Sequence, residues 1–425
     1  MYLQVVKAMV LVQMLSGLNK RTLISSANSL RTYSSKSIIP LRDHYESLNA
    51  KNLKSNLNFY SYDPKKVKYD SNFFTNQYGN ENLHLFENLN SFNPTLINAI
   101  ARYFIINYKL NYYPYYDLNL INVYTDLEQS LHLITNLIEF YRRILSPDMF
   151  TKIKIYLLPL HQYDKGNIKT LETLLRIKKT LPKNIVVLDG LPIFADNKDG
   201  DAINPAIQEL IIENDPIYIL LFNDIIKYLA HDTVTYSKSE GKWKQLYVDV
   251  DSLKTKDEKI FFEGEVDYWC EQAIQYYFAG NVKNATPNQI YNIPTRLIQL
   301  FKLINRNFPE HKFFAIDNPV RIKKSFLEIV RDFIIPFGKQ HTAYNGSRLF
   351  VNNEKTISYN NNFQVLQRIY NKINEPTQFI TVEELSVFID QYSNVKEDGQ
   401  NYKELEKIIT FMRCSTLATL YSSQI

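Results

Sequence analysis

Asn223 and Asp224 set a carboxamide beside a carboxylate directly behind the run Pro216-Ile-Tyr-Ile-Leu-Leu-Phe222. A carboxylate in such a place can hydrogen-bond a polar or cationic ligand and take up a proton. Six consecutive apolar residues, Ile217–Phe222, rich in β-branched and aromatic types, read as a strand buried on both faces, as parallel sheets produce. Ligands of open parallel sheets gather beyond the carboxyl ends of the strands, so the site is expected at 223–224. The next residues, Ile225–Ala230, should return as a helix. His231-Asp232 then offers the residue types of an acid–base pair, and is expected at the surface.

Other chemistries are excluded by what the chain lacks. Its seven histidines are scattered, with no pair at helical ligand spacing, and its two cysteines, Cys270 and Cys414, make neither a disulfide framework nor a cysteine zinc site. No metal is expected. The 11 glycines include no Gly-x-Gly, the closest pair being Gly338 and Gly346. The dinucleotide fingerprint, the Walker loop and a glycine nest for phosphate are therefore all missing.

The elements that must hold residues 223–224 follow a regular alternation. Leu118–Val123 reads as a strand, Leu127–Leu145 as an amphipathic helix, Ile153–Leu158 as a strand and Leu171–Leu181 as a helix. Ile185–Leu188 is a third strand ending at Asp189-Gly190, Pro205–Ile212 a third helix, and Pro216–Phe222 the fourth strand. Such alternation is the mark of a doubly wound parallel sheet. After it, Thr233–Tyr236, a turn at Gly241 and Trp243–Val250 read as an antiparallel hairpin. Lys312–Ile316 is a further strand, and helices are expected at 94–105, 268–278, 295–305, 363–373, 382–392 and 402–420, with Thr381 capping through Glu384. Residues 37–90 read as an irregular segment with short helices, and Asn111–Tyr116 as an aromatic loop that packs.

Length and charge bound the rest. The 425 residues are 45% hydrophobic, enough for a large core, and the net charge of +5 matches the five cations of residues 1–36, which contain no acid. The remainder is formally neutral, which argues against nucleic acid as a partner. An acid-free, Arg/Lys-punctuated, Ser-rich start reads as a mitochondrial presequence, with Arg31-Thr-Tyr33-Ser34 as its processing region. No later segment reaches membrane-spanning length.

Phe222-Asn-Asp-Ile-Ile-Lys-Tyr-Leu-Ala-His231, followed by a hairpin with Gly241-Lys-Trp243, resembles the Asn-Glu-x-x-Asp-Ala-Leu-Pro signature and Gly-x-Trp hairpin of the mitochondrial type II protein arginine methyltransferases. Phe314-Ala-Ile-Asp317 is similar to that family's later strand. The resemblance implies a Rossmann-like sheet, S-adenosylmethionine as cofactor, and a role as a complex I assembly factor acting on a mitochondrial protein client, possible targets being subunits of a respiratory complex. By it, Asn223 and Asp224 would engage the arginine guanidinium, and Tyr124, Asp126, Glu128 and Asp189 would lie against the cofactor. Asp126 and Glu128 are more simply explained as acids at a helix start, and Asp189 as a strand-end turn.

Departures from the family pattern are specific. Where it has Glu-x-Gly-x-Gly-x-Gly, this chain has Asn122-Val-Tyr-Thr-Asp-Leu-Glu128. Where its second strand ends in an acid for the ribose, this chain has Leu157-Leu-Pro159. Lys227 and Ala230 replace the motif's second acid and its proline. Three readings stand: a degenerate methyltransferase acting in assembly of a mitochondrial complex, in which no cofactor binds; an active arginine methyltransferase using S-adenosylmethionine; and a non-enzymatic interaction protein of mitochondrial translation. The departures favour the first. The fold class is α/β, a Rossmann-like methyltransferase sheet with an inserted antiparallel hairpin and helical additions at both ends. The domains expected are a presequence at 1–35, an N-terminal segment and helix at 36–115, the Rossmann-like domain at 116–320 with its hairpin insertion at 232–265, and a mostly helical region at 321–425.

Overall fold

The computed structural model describes residues 38–55, 94–124, 127–160, 181–188, 216–221, 225–250, 261–278, 285–286, 289–317, 348–351, 357–375, 378–394 and 418–422, with 179 and 399 as single residues. The expected helices at 171–181 and 205–212 lie almost wholly outside these residues.

Seven strands form the central sheet: β2 (Leu118–Tyr124), β3 (Ile153–Pro159), β4 (Ile185–Val187), β5 (Ile217–Leu221), β10 (Lys312–Asp317), β13 (Ile380–Glu384) and β14 (Ala418–Ser422). Their order is β13-β14-β10-β5-β2-β3-β4. The ladders among β10, β5, β2, β3 and β4 are parallel, whereas β14 runs antiparallel between β10 and β13. This is the doubly wound Rossmann-like arrangement expected from the sequence, with one reversed strand inserted near an edge. Strand order reverses between β2 and β5, where Val123 pairs with Leu221.

Every residue of β2 and of β5 is buried, because helices cover both faces. The side-chain alternation of a strand divides the core in two. Leu118, Leu120 and Tyr124 of β2, with Tyr218 and Leu220 of β5, pack under α2 (Pro94–Asn111) and α3 (Leu127–Ile144). Ile121, Val123, Ile219 and Leu221 point the other way, toward α5 (Ile225–Tyr228), α6 (Tyr268–Tyr277), α7 (Thr295–Asn307) and α8 (Phe363–Asn374). The short helix α4 (Pro147–Thr151) links α3 to β3, capped by Ser146 Oγ accepting from the Met149 amide.

The hairpin is present and belongs to a larger antiparallel sheet. β6 (Asp232–Ser237) and β7 (Lys242–Asp249) meet at a turn where Gly241 has φ +64°, the left-handed region. β8 (Phe261–Glu265) pairs with β7, β9 (Ile290–Ile293) with β6, and β1 (Ile38–Pro40) with the far end of β7. Behind β1 comes α1 (Leu41–Ser55), so part of the segment expected to be irregular is a strand and a 15-residue helix. Gly264 of β8 lies under the Tyr247 ring, and a Cβ there would stand 2.9 Å from Tyr247 Cε2. That ring is held in place by its hydroxyl, which donates to the Glu265 carbonyl at 2.7 Å. Gly264→Ala should therefore cost about 1–3 kcal/mol in urea unfolding, and a cost near zero would mean that the ring steps aside freely.

The C-terminal region departs from the expected run of helices. β11 (Arg348–Val351) and β12 (Ile357–Asn360) form a separate antiparallel pair. α8 is capped by Asn362, whose Oδ1 accepts from the Gln364 and Val365 amides. Thr381 is not a cap: it lies within β13, and α9 (Leu385–Tyr392) starts directly behind that strand with Glu384 at its N-terminus and no side-chain cap bond. The β-branched Ile-Thr-Val run wins a place beside β14 over the helix that a Thr-x-x-Glu spacing suggests. Leu420, expected in a helix, is in β14 and pairs with Ala315 and Val382.

Candidate functional site

Topology puts the candidate site outside the carboxyl ends of β2 and β5, the point where strand order reverses. Of the residues expected there, Tyr124 alone has a described side chain. Asn223, Asp224, Asp126 and Asp189 lie outside the described residues, and Glu128 is the second residue of α3 with its side chain likewise outside them. The structure thus fixes the strand ends from which these residues depart: Leu221 for 223 and 224, Tyr124 for 126 and 128, and Val187 for 189.

Tyr124 is the last residue of β2 and is 1% exposed. Its ring belongs to the core on the α2 and α3 side, and its carbonyl accepts a 2.7 Å hydrogen bond from the Leu160 amide. The β2–β3 ladder therefore runs to the last residue of β2. Leu157, Leu158 and Leu160 at the close of β3 are all buried apolar residues. Two residues before Tyr124, the Asn122 side chain donates to Ser130 Oγ of α3 at 3.1 Å, while its own Oδ1, fully buried, has no partner among the described residues.

Behind β5, the end of the motif is fixed from several sides. The Ala230 carbonyl accepts from the Arg296 amide at 3.3 Å, and the Ile226 carbonyl from Asn361 Nδ2 at 3.3 Å. His231 and Asp232 correct the expectation of a surface pair: they are 1% and 0% exposed. The His231 ring stacks on Tyr359 of β12 at 4.0 Å with 5° between planes, and burial lowers its pKa to about 3. Nor do the two form an acid–base pair with each other, because the Asp232 carboxylate is engaged elsewhere. Its Oδ2 accepts from Arg42 Nη1 and Thr295 Oγ1, each at 2.6 Å, and its Oδ1 from Gln245 Nε2 at 2.8 Å.

Arg42 also forms a fork with Asp267, Nη2 to Oδ2 at 2.7 Å and Nη1 to Oδ1 at 3.1 Å. Burial pushes the Asp232 carboxyl up, against the pull of the guanidinium. Asp267 resists burial: the charge and hydrogen bonds of Arg42 hold it below the usual carboxylate range. Arg42 itself, though burial works the other way, is held well above its ordinary value by these acids. Sequence reasoning missed this cluster, because Arg42 stands 190 residues from Asp232 and no local pattern marks the pairing. Among the described residues no group of His, Cys, Asp and Glu is placed to hold a metal ion, and no helix is long and apolar enough to cross a membrane.

Residues 99–380 match the family model described as "Putative S-adenosyl-L-methionine-dependent methyltransferase". The chain belongs to this family. A relative from Saccharomyces cerevisiae, named protein arginine methyltransferase NDUFAF7 homolog, mitochondrial, is 32% identical over 349 residues, covering 80% of this chain and 81% of its own. Among solved structures, a Burkholderia thailandensis protein crystallised with S-adenosyl-homocysteine is 10% identical at a TM-score of 0.49, over 95% of this chain and 92% of that one. A native crystal structure from the same organism is 12% identical at a TM-score of 0.48, with the same coverage. The resemblance read from residues 222–231 and from the hairpin thus leads to the right family.

Proposed function

We propose that this methyltransferase-family chain works in mitochondria as a protein-binding assembly factor for a respiratory complex, with its methyl-donor site closed. The observation that carries the reading is the end of β2. A donor held in the family manner needs glycines that let the backbone approach and an acid for the ribose hydroxyls. Here Tyr124 is packed into the core, its carbonyl is engaged by Leu160, and β3 closes on buried leucines. These residues do not fit that mode of binding. The acid-free first 36 residues and the mitochondrial name of the yeast relative support the location. The formally neutral remainder of the chain supports a protein client over nucleic acid.

A second reading, an active arginine methyltransferase, is favoured by the name of the same relative. In it Asp224 would hydrogen-bond the client guanidinium and accept its proton, with Asn223 orienting the group. Calorimetric titration of the full chain with S-adenosylmethionine and with S-adenosylhomocysteine separates the two. The closed-site reading expects no heat and no rise in melting temperature at ~1 mM ligand, whereas a site with micromolar affinity would be stabilised by about 4 kcal/mol there. Saturable binding would overturn the closed site and return the chain to the enzymes.

A further inference from the structure

The family match begins at residue 99, yet the chain reaches back to residues 38–55 to fix the end of its post-strand motif. β1 joins the antiparallel sheet beside β7, Ile39 pairing with Val248, and this places Arg42, the second residue of α1, deep in the molecule. Its guanidinium bridges Asp232, the residue directly behind the motif, and Asp267, the N-cap of α6. Gln245 of β7 donates to both carboxylates and accepts from the Asp267 amide, and Thr295 at the start of α7 donates to Asp232. A second clasp runs from Arg296, whose guanidinium reaches Asp43 Oδ1 at 2.9 Å and Glu46 Oε2 at 2.6 Å on α1, while its amide holds the Ala230 carbonyl. The strap and the motif are thus tied through the same residues.

We propose that residues 38–55 are an N-terminal strap that holds the motif segment 225–232 in register, with Arg42 as its positioning residue. The guanidinium fork matches two carboxylates in one plane, which an ammonium cannot do. Without it, the buried Asp232 and the partly exposed Asp267 face each other unpaired, and repulsion and hydration would open the segment between β5 and β6. The strap is independent of whether the donor site is closed, which the donor titration above tests separately.

Amide hydrogen exchange on the full chain tests the strap. In Arg42→Met, residues 226–234 and 243–248 should exchange at least about tenfold faster, while β3 on the other side of the central sheet stays as in the wild type. In Arg42→Ala, whose truncation leaves the clamp empty, low-millimolar guanidinium ion should restore protection. Arg42→Lys, which keeps the charge but not the fork, should give the same local loss, and serves if the methionine variant does not fold. Unchanged exchange in the motif overturns the proposal. So does faster exchange spread equally over both sheets, or a loss that guanidinium leaves untouched, since either would mean general destabilisation instead of a positioned segment.

Discussion

Phe314→Ala is expected to remove about 3–5 kcal/mol of stability. Phe314 is 1% exposed in the middle of β10, paired with Leu220 of β5 on one side and Tyr421 of β14 on the other. Its ring centroid stands 5.4 Å from those of Tyr103 and Phe104 on α2, and 5.3 Å from that of Phe388 on α9. Tyr103 and Phe388 in turn meet Tyr392, at 5.3 and 4.8 Å. One ring therefore ties the helix before the sheet to the helix after it, and rigid aromatic neighbours relax little around a cavity. Urea unfolding should show the midpoint fall with the slope unchanged. Val186→Ala is the control: Val186 is 38% exposed, and its truncation should cost about 0.5 kcal/mol or less. A loss at Phe314 no larger than that of the control would mean that the C-terminal elements do not share this core.

What could be read in advance followed the physics of burial. β2 and β5 announce themselves because a strand covered on both faces must be apolar throughout, and α3 because one face repeats at helical spacing. Gly241 marked the hairpin, since its positive φ is costly for other residues. β13 did not announce itself. It is five residues long, runs into α9 without a breaker, and carries a Thr381-x-x-Glu384 spacing that mimics a cap. β1 is three residues and ends in proline, too short to show any period. Its place is set by β7, some 200 residues away in the chain.

For the site, residue chemistry located a candidate, but it could not foresee which polar groups would be buried. His231 and Asp232 look like a solvated pair because their partners, Tyr359 and Arg42, are distant in sequence. Tyr124 is legible as a bulky residue where the resemblance expects a glycine. Its engagement by Leu160 depends on where β3 ends, which no local pattern gives.

Acid should unfold this protein sooner than its carboxylates alone would dictate, because two histidines are buried in the neutral form. Burial lowers His231 to about 3, against weaker support from the Asn292 backbone and the Asn361 side chain. Burial likewise lowers His311 to about 4. His311 is held by its partners: Nδ1 donates to the Phe308 carbonyl at 2.6 Å, and Nε2 accepts from the Tyr370 hydroxyl at 2.7 Å. Both folded values lie below the ordinary one near 6.5, so as pH falls the unfolded chain takes up the protons first. Their contribution is therefore complete above about pH 6.5 and is lost as pH drops toward 4, at about 1.4 kcal/mol per pH unit for each residue. Asp43 and Asp232, whose carboxyls burial raises, act in the opposite sense on acidification. Substitution isolates the histidines from them. Between pH 6.5 and 5, the mean slope of stability against pH should fall by about 1 kcal/mol per unit in His311→Gln and again in the double variant with His231→Gln. If both slopes match the wild type, the two rings take up protons in the folded protein as they do in the unfolded chain, and the stacked His231–Tyr359 pair must be open to water.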